Sequence, residues 1–150
     1  PDVIYIGEMR DLETIQLAIT AAETGHLVLG TLHTSSAAKT VERIVDVFPG
    51  DQQEQARLQV STSLAGVMSQ TLCKNIAGKR SLAFELLINT PAIGNLIREK
   101  KVSQIYSQIQ TSSKEGMNTL EQCLTELVKN GSITKEEALS KSSNPKGILV

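Results

Sequence analysis

The chain has 150 residues, with 15 Lys+Arg against 16 Asp+Glu and a formal net charge of -1. That balance excludes a basic nucleic-acid tail, an acidic tail and a strongly charged membrane-surface patch. Apolar residues make up 40% of the chain, a globular composition, but aromatics make up only 3%, so the core is aliphatic and stacking on bases is poorly supplied.

The chain opens with Pro1-Asp2 and enters the β-branched run Val3–Ile6 at once, a pattern for a parallel strand covered on both faces. With no initiator Met before it, the chain is expected to be the C-terminal piece of something longer. Gly7-Glu8 ends the run. Asp11 can cap a helix whose inner face carries Leu12, Ile15, Ile19 and Ala22, and Gly25 is placed to stop it. A second buried-strand run, 27–32, ends at His33-Thr34. Ser35-Ser36 can cap a further helix with Ala37, Val41, Ile44 and Val45 inward, broken by Pro49-Gly50. Strand, helix, strand, helix is the signature of a parallel α/β sheet.

The rhythm then changes. Residues 51–64 read as a helix with Ala56, Val60 and Leu64 inward. The segments 67–76 and 81–88 read as two strands joined at Ala77-Gly78-Lys79, and Leu82, Phe84, Leu86 and Ile88 alternate as in a half-exposed hairpin strand. From Pro91 onward the pattern is helical. Ala92, Leu96 and Ile97 face one way, followed by Val102, Ile105, Tyr106 and Ile109. Leu120, Cys123, Leu124, Leu127 and Val128 form a stripe that Gly131 ends. Thr134 with Glu137 predicts a capping box, and the segment 142–150 reads as a polar end that frays.

Residues 1–75 carry 9 acids and 5 bases, while residues 76–150 carry 7 acids and 10 bases. The basic residues are either solvated helix faces or a surface for acidic neighbours in an assembly. Cys73 and Cys123 lie 50 residues apart without CxxC spacing, which excludes a disulfide scaffold and suits a reducing compartment. No apolar run approaches the roughly 18–20 residues of a membrane span, and no secretory signal pattern is present.

In an open parallel sheet, ligands gather beyond the carboxyl ends of the strands. Glu8 closes the first strand and His33 the second. A carboxylate there can hold magnesium, directly or through water, and a histidine one strand over can hydrogen-bond a terminal phosphate oxygen. The plain alternatives are a solvated strand-end acid and a satisfied histidine. His26 and His33 are seven residues apart, an odd spacing that puts them on different faces of a strand and argues against a zinc site.

Three strings carry a family resemblance. Residues 1–14, PDVIYIGEMRDLET, resemble the Walker B segment of the secretion ATPase superfamily, with Gly-Glu where Asp-Glu is more usual. Residues 24–34, TGHLVLGTLHT, are similar to its His box, and residues 90–99, TPAIGNLIRE, resemble the AIRNLIRE motif of the type IV pilus retraction ATPases. The likeness runs to about Ile133.

The resemblance implies an α/β fold. Residues 1–89 would be the second half of a RecA-like P-loop ATPase core, a parallel sheet plus an antiparallel hairpin. Residues 90–150 would be a C-terminal helical region. It implies a hexameric ring that uses ATP and magnesium to power pilus retraction and twitching motility. The ring would sit in the cytoplasm, against the inner-membrane platform protein, with neither nucleic acid binding nor membrane insertion. Glu8 is expected to hold magnesium and serve catalysis, and His33 to read the γ-phosphate. His26 is its expected partner, and Arg10 and Asp11 are expected to orient neighbouring groups. No GxxxxGK[ST] loop occurs in the 150 residues, so this segment alone is expected to be inactive, with that loop, the Asp box and the arginine fingers upstream. The family's extension and type II secretion ATPases usually carry a four-cysteine zinc insertion, absent here, which favours the retraction branch. An extension or secretion ATPase and a non-enzymatic assembly module are the alternatives. Gly94 stands where the AIRNLIRE pattern has Arg, and the plain reading is a tolerated surface change.

Overall fold

The computed structural model describes residues 1–149. The chain forms two compact units, one of Pro1–Gly66 with Asn89–Ile105, the other of Val67–Ile88 with the chain from Tyr106 onward.

In the first unit, strand β1 (Val3–Ile6) pairs in parallel with β2 (Leu27–Gly30), Val3 opposite Leu27 and Ile6 opposite Gly30. Helix α1 (Leu12–Glu23) makes the crossover. Asp11 caps it by accepting from the Thr14 amide at 2.9 Å, and Gly25, at φ 99°, turns the chain out of it. Helices α2 (Ala37–Asp46) and α3 (Gln53–Ser63) complete an apolar core of Ile15, Ile19, Val41, Val45, Phe48, Ala56 and Val60.

The sheet differs from the expectation in two ways. It is not covered on both faces: Val3, Tyr5, Leu27 and Leu29 are exposed, Tyr5 by 70%. Two strands present one sheltered face, that of Ile4, Ile6 and Val28, and the opposite side chains alternate away from it. The second strand also ends at Gly30, two residues early. Beyond it the two chains are joined by loop bonds: the Met9 amide donates to the Thr31 carbonyl at 2.9 Å, and the Thr31 hydroxyl donates to the Gly7 carbonyl.

Helix α4 (Pro91–Arg98) packs on α3 in the same unit, its start capped by Thr90. Its buried row is Ile93, Gly94 and Ile97 rather than Ala92 and Leu96. Gly94 is therefore not a surface position: a Cβ there would stand 3.1 Å from the Ser61 carbonyl oxygen, so the glycine lets the helices approach. Asn89 donates to the Ser61 and Leu64 carbonyls at 3.0 and 2.8 Å, satisfying the open end of α3. At the end of α4 the Lys100 and Lys101 amides donate to the Ile97 and Leu96 carbonyls. Lys100 takes φ 60° there, a place glycine usually fills, at a cost of roughly 1 kcal/mol.

In the second unit, β3 (Gly66–Lys74) and β4 (Arg80–Ile88) form a two-stranded hairpin closed by the Asn75 amide donating to the Lys79 carbonyl at 2.8 Å. The expected alternation on β4 is present, but the buried side is Ala83, Glu85 and Leu87, not Leu82, Phe84, Leu86 and Ile88. That side meets α6 (Leu120–Lys129), and Cys73, Ala83, Leu120, Leu124, Ile133 and Ala138 form one cluster. Helix α5 (Ile105–Thr111) precedes α6, and α7 (Lys135–Lys141) follows it.

Two expectations at the C-terminal end are overturned. Thr134 caps α7, but Glu137 does not complete the box; its carboxylate accepts from the Lys74 amide at 2.7 Å. A full capping box forms instead at Thr119 and Gln122. Nor is the segment after Ser142 loose. The buried Glu121 carboxylate accepts from the Ser142 hydroxyl at 2.8 Å, the Asn144 amide at 3.1 Å and the Tyr106 hydroxyl at 3.0 Å. The Leu149 amide donates to Thr125 at 3.2 Å.

Candidate functional site

The parallel register decides the site. Because β1 and β2 run in step, the residues just past their carboxyl ends lie side by side. Glu8 Oε1 accepts from the Arg10 Nε and stands 3.1 Å from His33 Nε2. Glu8 is partly sheltered, with 27% of its side chain exposed, whereas His33 is open at 82%. Met9 folds over Gly30 so closely that a Cβ on Gly30 would meet the Met9 sulfur at 2.7 Å, and the flexible Met9 side chain would have to move aside.

The hydrogen bond from Arg10, aided by the charges of Arg10 and His33, holds the Glu8 carboxyl below its ordinary value of 4.5 against the opposing pull of desolvation. The same contact raises Arg10. Glu8 is thus ionised throughout the neutral range and acts as an acceptor only. A general base poised near neutrality would need its pKa raised, so the geometry suits holding charge or a cation better than moving protons. Both contacts fall on Oε1. Among the described residues no group of three or more His, Cys, Asp and Glu gathers as a metal cage. A magnesium ion at Glu8 would take its other oxygens from water and phosphate, as this ion commonly does.

The expected site residues separate into two places. Glu8, Arg10 and His33 form one cluster. His26 lies at the entry to β2 and His33 beyond its exit, with the four strand residues, roughly 13 Å at about 3.3 Å per residue, between them. His26 is half-buried, and its Nδ1 donates to the Ala21 carbonyl at 3.0 Å. Asp11 is occupied as the cap of α1, where the Thr14 amide and hydroxyl hold its carboxyl below the usual range.

The reading from sequence missed a link behind His33. The Thr34 and Thr40 hydroxyls share a hydrogen bond of 2.7 Å, and Thr40 also donates to the Ser36 carbonyl at 2.8 Å. Thr40 is buried on α2 beside Val41 and Ala37. The only sequence signal was a threonine on the inner row of that helix, indistinguishable from a packing residue.

Residues 1–81 match the family described as type II/IV secretion system protein. The chain belongs to this family. Among its relatives, the type IV pilus retraction ATPase PilT of Pseudomonas aeruginosa is 59% identical over 145 residues, covering 97% of this chain and 42% of that protein. The twitching motility protein of Neisseria gonorrhoeae is 55% identical, covering 96% of this chain and 39% of that one. A crystal structure of the pilus retraction motor PilT with bound ADP superimposes with a TM-score of 0.89 at 54% identity, over 97% of this chain and 41% of that chain. The Legionella pneumophila ATPase DotB gives 0.80 at 26% identity, over 92% and 37%. The mixed α/β fold, parallel pair plus hairpin, is therefore that of the PilT and DotB ATPases. The chain spans about two fifths of the length of the relatives named here. Glu8, Arg10, His26 and His33 all fall inside the matched family segment. Among the described residues, no helix is long and apolar enough to cross a membrane.

Proposed function

We propose that this chain is the phosphate-responsive part of a motor ATPase that drives type IV pilus retraction and twitching motility. The observation that carries the reading is the 3.1 Å contact between Glu8 and His33 beyond the carboxyl ends of two parallel strands. The likeness to PilT over nearly the whole chain supports the retraction branch rather than extension or secretion. Glu8 would hold magnesium, directly or through water, and the ion would neutralise charge on the transferring phosphate. Arg10 fixes the Glu8 carboxylate and keeps it ionised. His33, open to solvent, can leave Glu8 and donate a hydrogen bond to a γ-phosphate oxygen. Once that phosphate is gone, Glu8 is again its nearest acceptor. The Thr34–Thr40 bond ties this exchange to the buried face of α2. His26 positions the start of β2 rather than touching nucleotide.

The phosphate-cradling loop comes from outside these residues, so turnover belongs to a longer protein assembled as a hexameric ring. That ring would lie in the cytoplasm against an inner-membrane platform protein, without nucleic acid. We assign residues 1–89 to the ATPase core and 90–150 to the helical region that transmits force. The test is Glu8→Ala in a protein that carries the loop. ATP turnover falls about 100-fold or more, a size typical of losing a charge-stabilising group, while ATP binding weakens less than tenfold. Turnover near wild type would remove the magnesium role.

A further inference from the structure

Away from the Glu8–His33 corner, one cavity gathers positive charge that no carboxylate fully answers. It is an open cleft of about 310 Å³ in the first unit, between α3 and the end of α4, lined by Glu54, Arg57, Leu58, Arg98 and Lys100. Glu54 and Lys100 partner each other at 3.3 Å. Arg98 is held by neutral groups, the Asn95 side-chain oxygen and, at 3.4 Å, the Ser61 hydroxyl. The Arg57 Nε is buried and has no hydrogen-bond partner. Two guanidinium groups thus line one cavity, and one of them keeps a desolvated N–H unanswered, an arrangement that is unfavourable as it stands.

A second observation points the same way. Lys100 is the one described non-glycine residue with positive φ, at 60°. Glycine would hold that turn without strain. A strained backbone that places a lysine on the wall of a cavity is the pattern expected where the side chain is used.

We propose that this cavity is a binding site for a phosphate-class oxyanion. Arg57 and Arg98 present two guanidinium groups to the same cleft, planar forks that match phosphate oxygens. Lys100 exchanges Glu54 for the ligand. Leu58, 46% exposed, supplies an apolar wall that suits a phosphate carrying a small organic group. None of these residues belongs to the Glu8–His33 cluster, and the site stands or falls apart from the motor reading.

The test is an NMR titration of the full chain at constant ionic strength, with inorganic phosphate in one arm and glycerol 3-phosphate in the other. The Arg57 Nε–H and the Lys100 and Lys101 amide signals shift together along one saturating curve, while those of Gly7 to Arg10 and His33 stay in place. Arg57→Gln weakens binding at least tenfold. Lys100→Gly weakens it about threefold and at the same time raises the melting temperature, so lost binding cannot be put down to lost folding. Tighter binding of glycerol 3-phosphate identifies an organic phosphate, equal binding identifies free phosphate, and either result supports the site. Shifts that never saturate, equal shifts with matched sodium chloride, or unchanged binding by Arg57→Gln would overturn it.

Discussion

Glu8 and Glu121 are both carboxylates at the edge of a regular element, and the two units treat them oppositely. Glu8 lies just past a strand, partly open, against one arginine and one histidine. Glu121 lies in the first turn of α6, 1% exposed, with three uncharged donors from Tyr106, Ser142 and Asn144 closed around it. An open carboxylate with charged partners gives little to stability, because water competes for every contact. It can exchange partners at small cost, which a phosphate-sensing site requires. A buried carboxylate with all its donors supplied by the fold cannot exchange them, and it fixes the chain that supplies them. The same side chain has exchangeable partners in one unit and is a staple in the other.

Glu121→Ala is expected to have the largest effect on folding. It strips the acceptor from a buried hydroxyl, a second hydroxyl and an amide, and should cost about 2–4 kcal/mol by the usual scale for buried bonds to a charged group. Chemical denaturation measures this, and hydrogen exchange should show the 142–149 segment released first. A loss no larger than that of Glu8→Ala would erase the contrast.

Gly94→Arg comes next, restoring the residue of the AIRNLIRE pattern. The new Cβ would stand 3.1 Å from the Ser61 carbonyl, so α3 and α4 must give by a few tenths of an ångström, and overpacking of this kind costs about 1–3 kcal/mol. A more stable variant would show that α3 and α4 separate freely.

The smallest effect is the dependence of stability on pH through Glu8. Its folded-state pKa is depressed, chiefly by Arg10. The stabilisation is therefore complete above the ordinary carboxylate value and is lost as pH falls through the depressed one. The difference in melting temperature between wild type and Glu8→Ala should be flat from about pH 5.5 to 8 and shrink below about pH 4. A difference that vanishes well above about pH 4 would mean that Arg10 does not carry the pairing.

Much of the site could be read from the residues. Two apolar runs joined by a capped helix imply parallel strands, and parallel strands put Glu8 beside His33. The caps at Asp11, Ser36 and Thr134 and the turns at Gly25 and Gly131 are equally local, and all formed. What escaped was the identity of distant partners. Alternation on β4 is visible in the sequence, but which side meets α6 is decided some 35 residues away. Glu137 has the spacing for a capping box, yet the Lys74 amide claims it. Gly94 looks like a surface change because nothing nearby in sequence reports the Ser61 carbonyl. The polar end after Ser142 reads as loose because its anchor, Glu121, lies 21 residues before it.

The role proposed for His33 is to distinguish the presence of the γ-phosphate. The most direct measurement is the affinity of a non-hydrolysable ATP analogue and of ADP for the full-length motor and its His33→Ala variant. Loss of one hydrogen bond to a charged oxygen should weaken the analogue about tenfold, some 1.4 kcal/mol, and leave ADP within about twofold. His26→Ala should weaken both nucleotides alike, since it acts through the start of β2. Equal weakening of the analogue and ADP by His33→Ala would contradict the claim and make His33 a structural partner of Glu8.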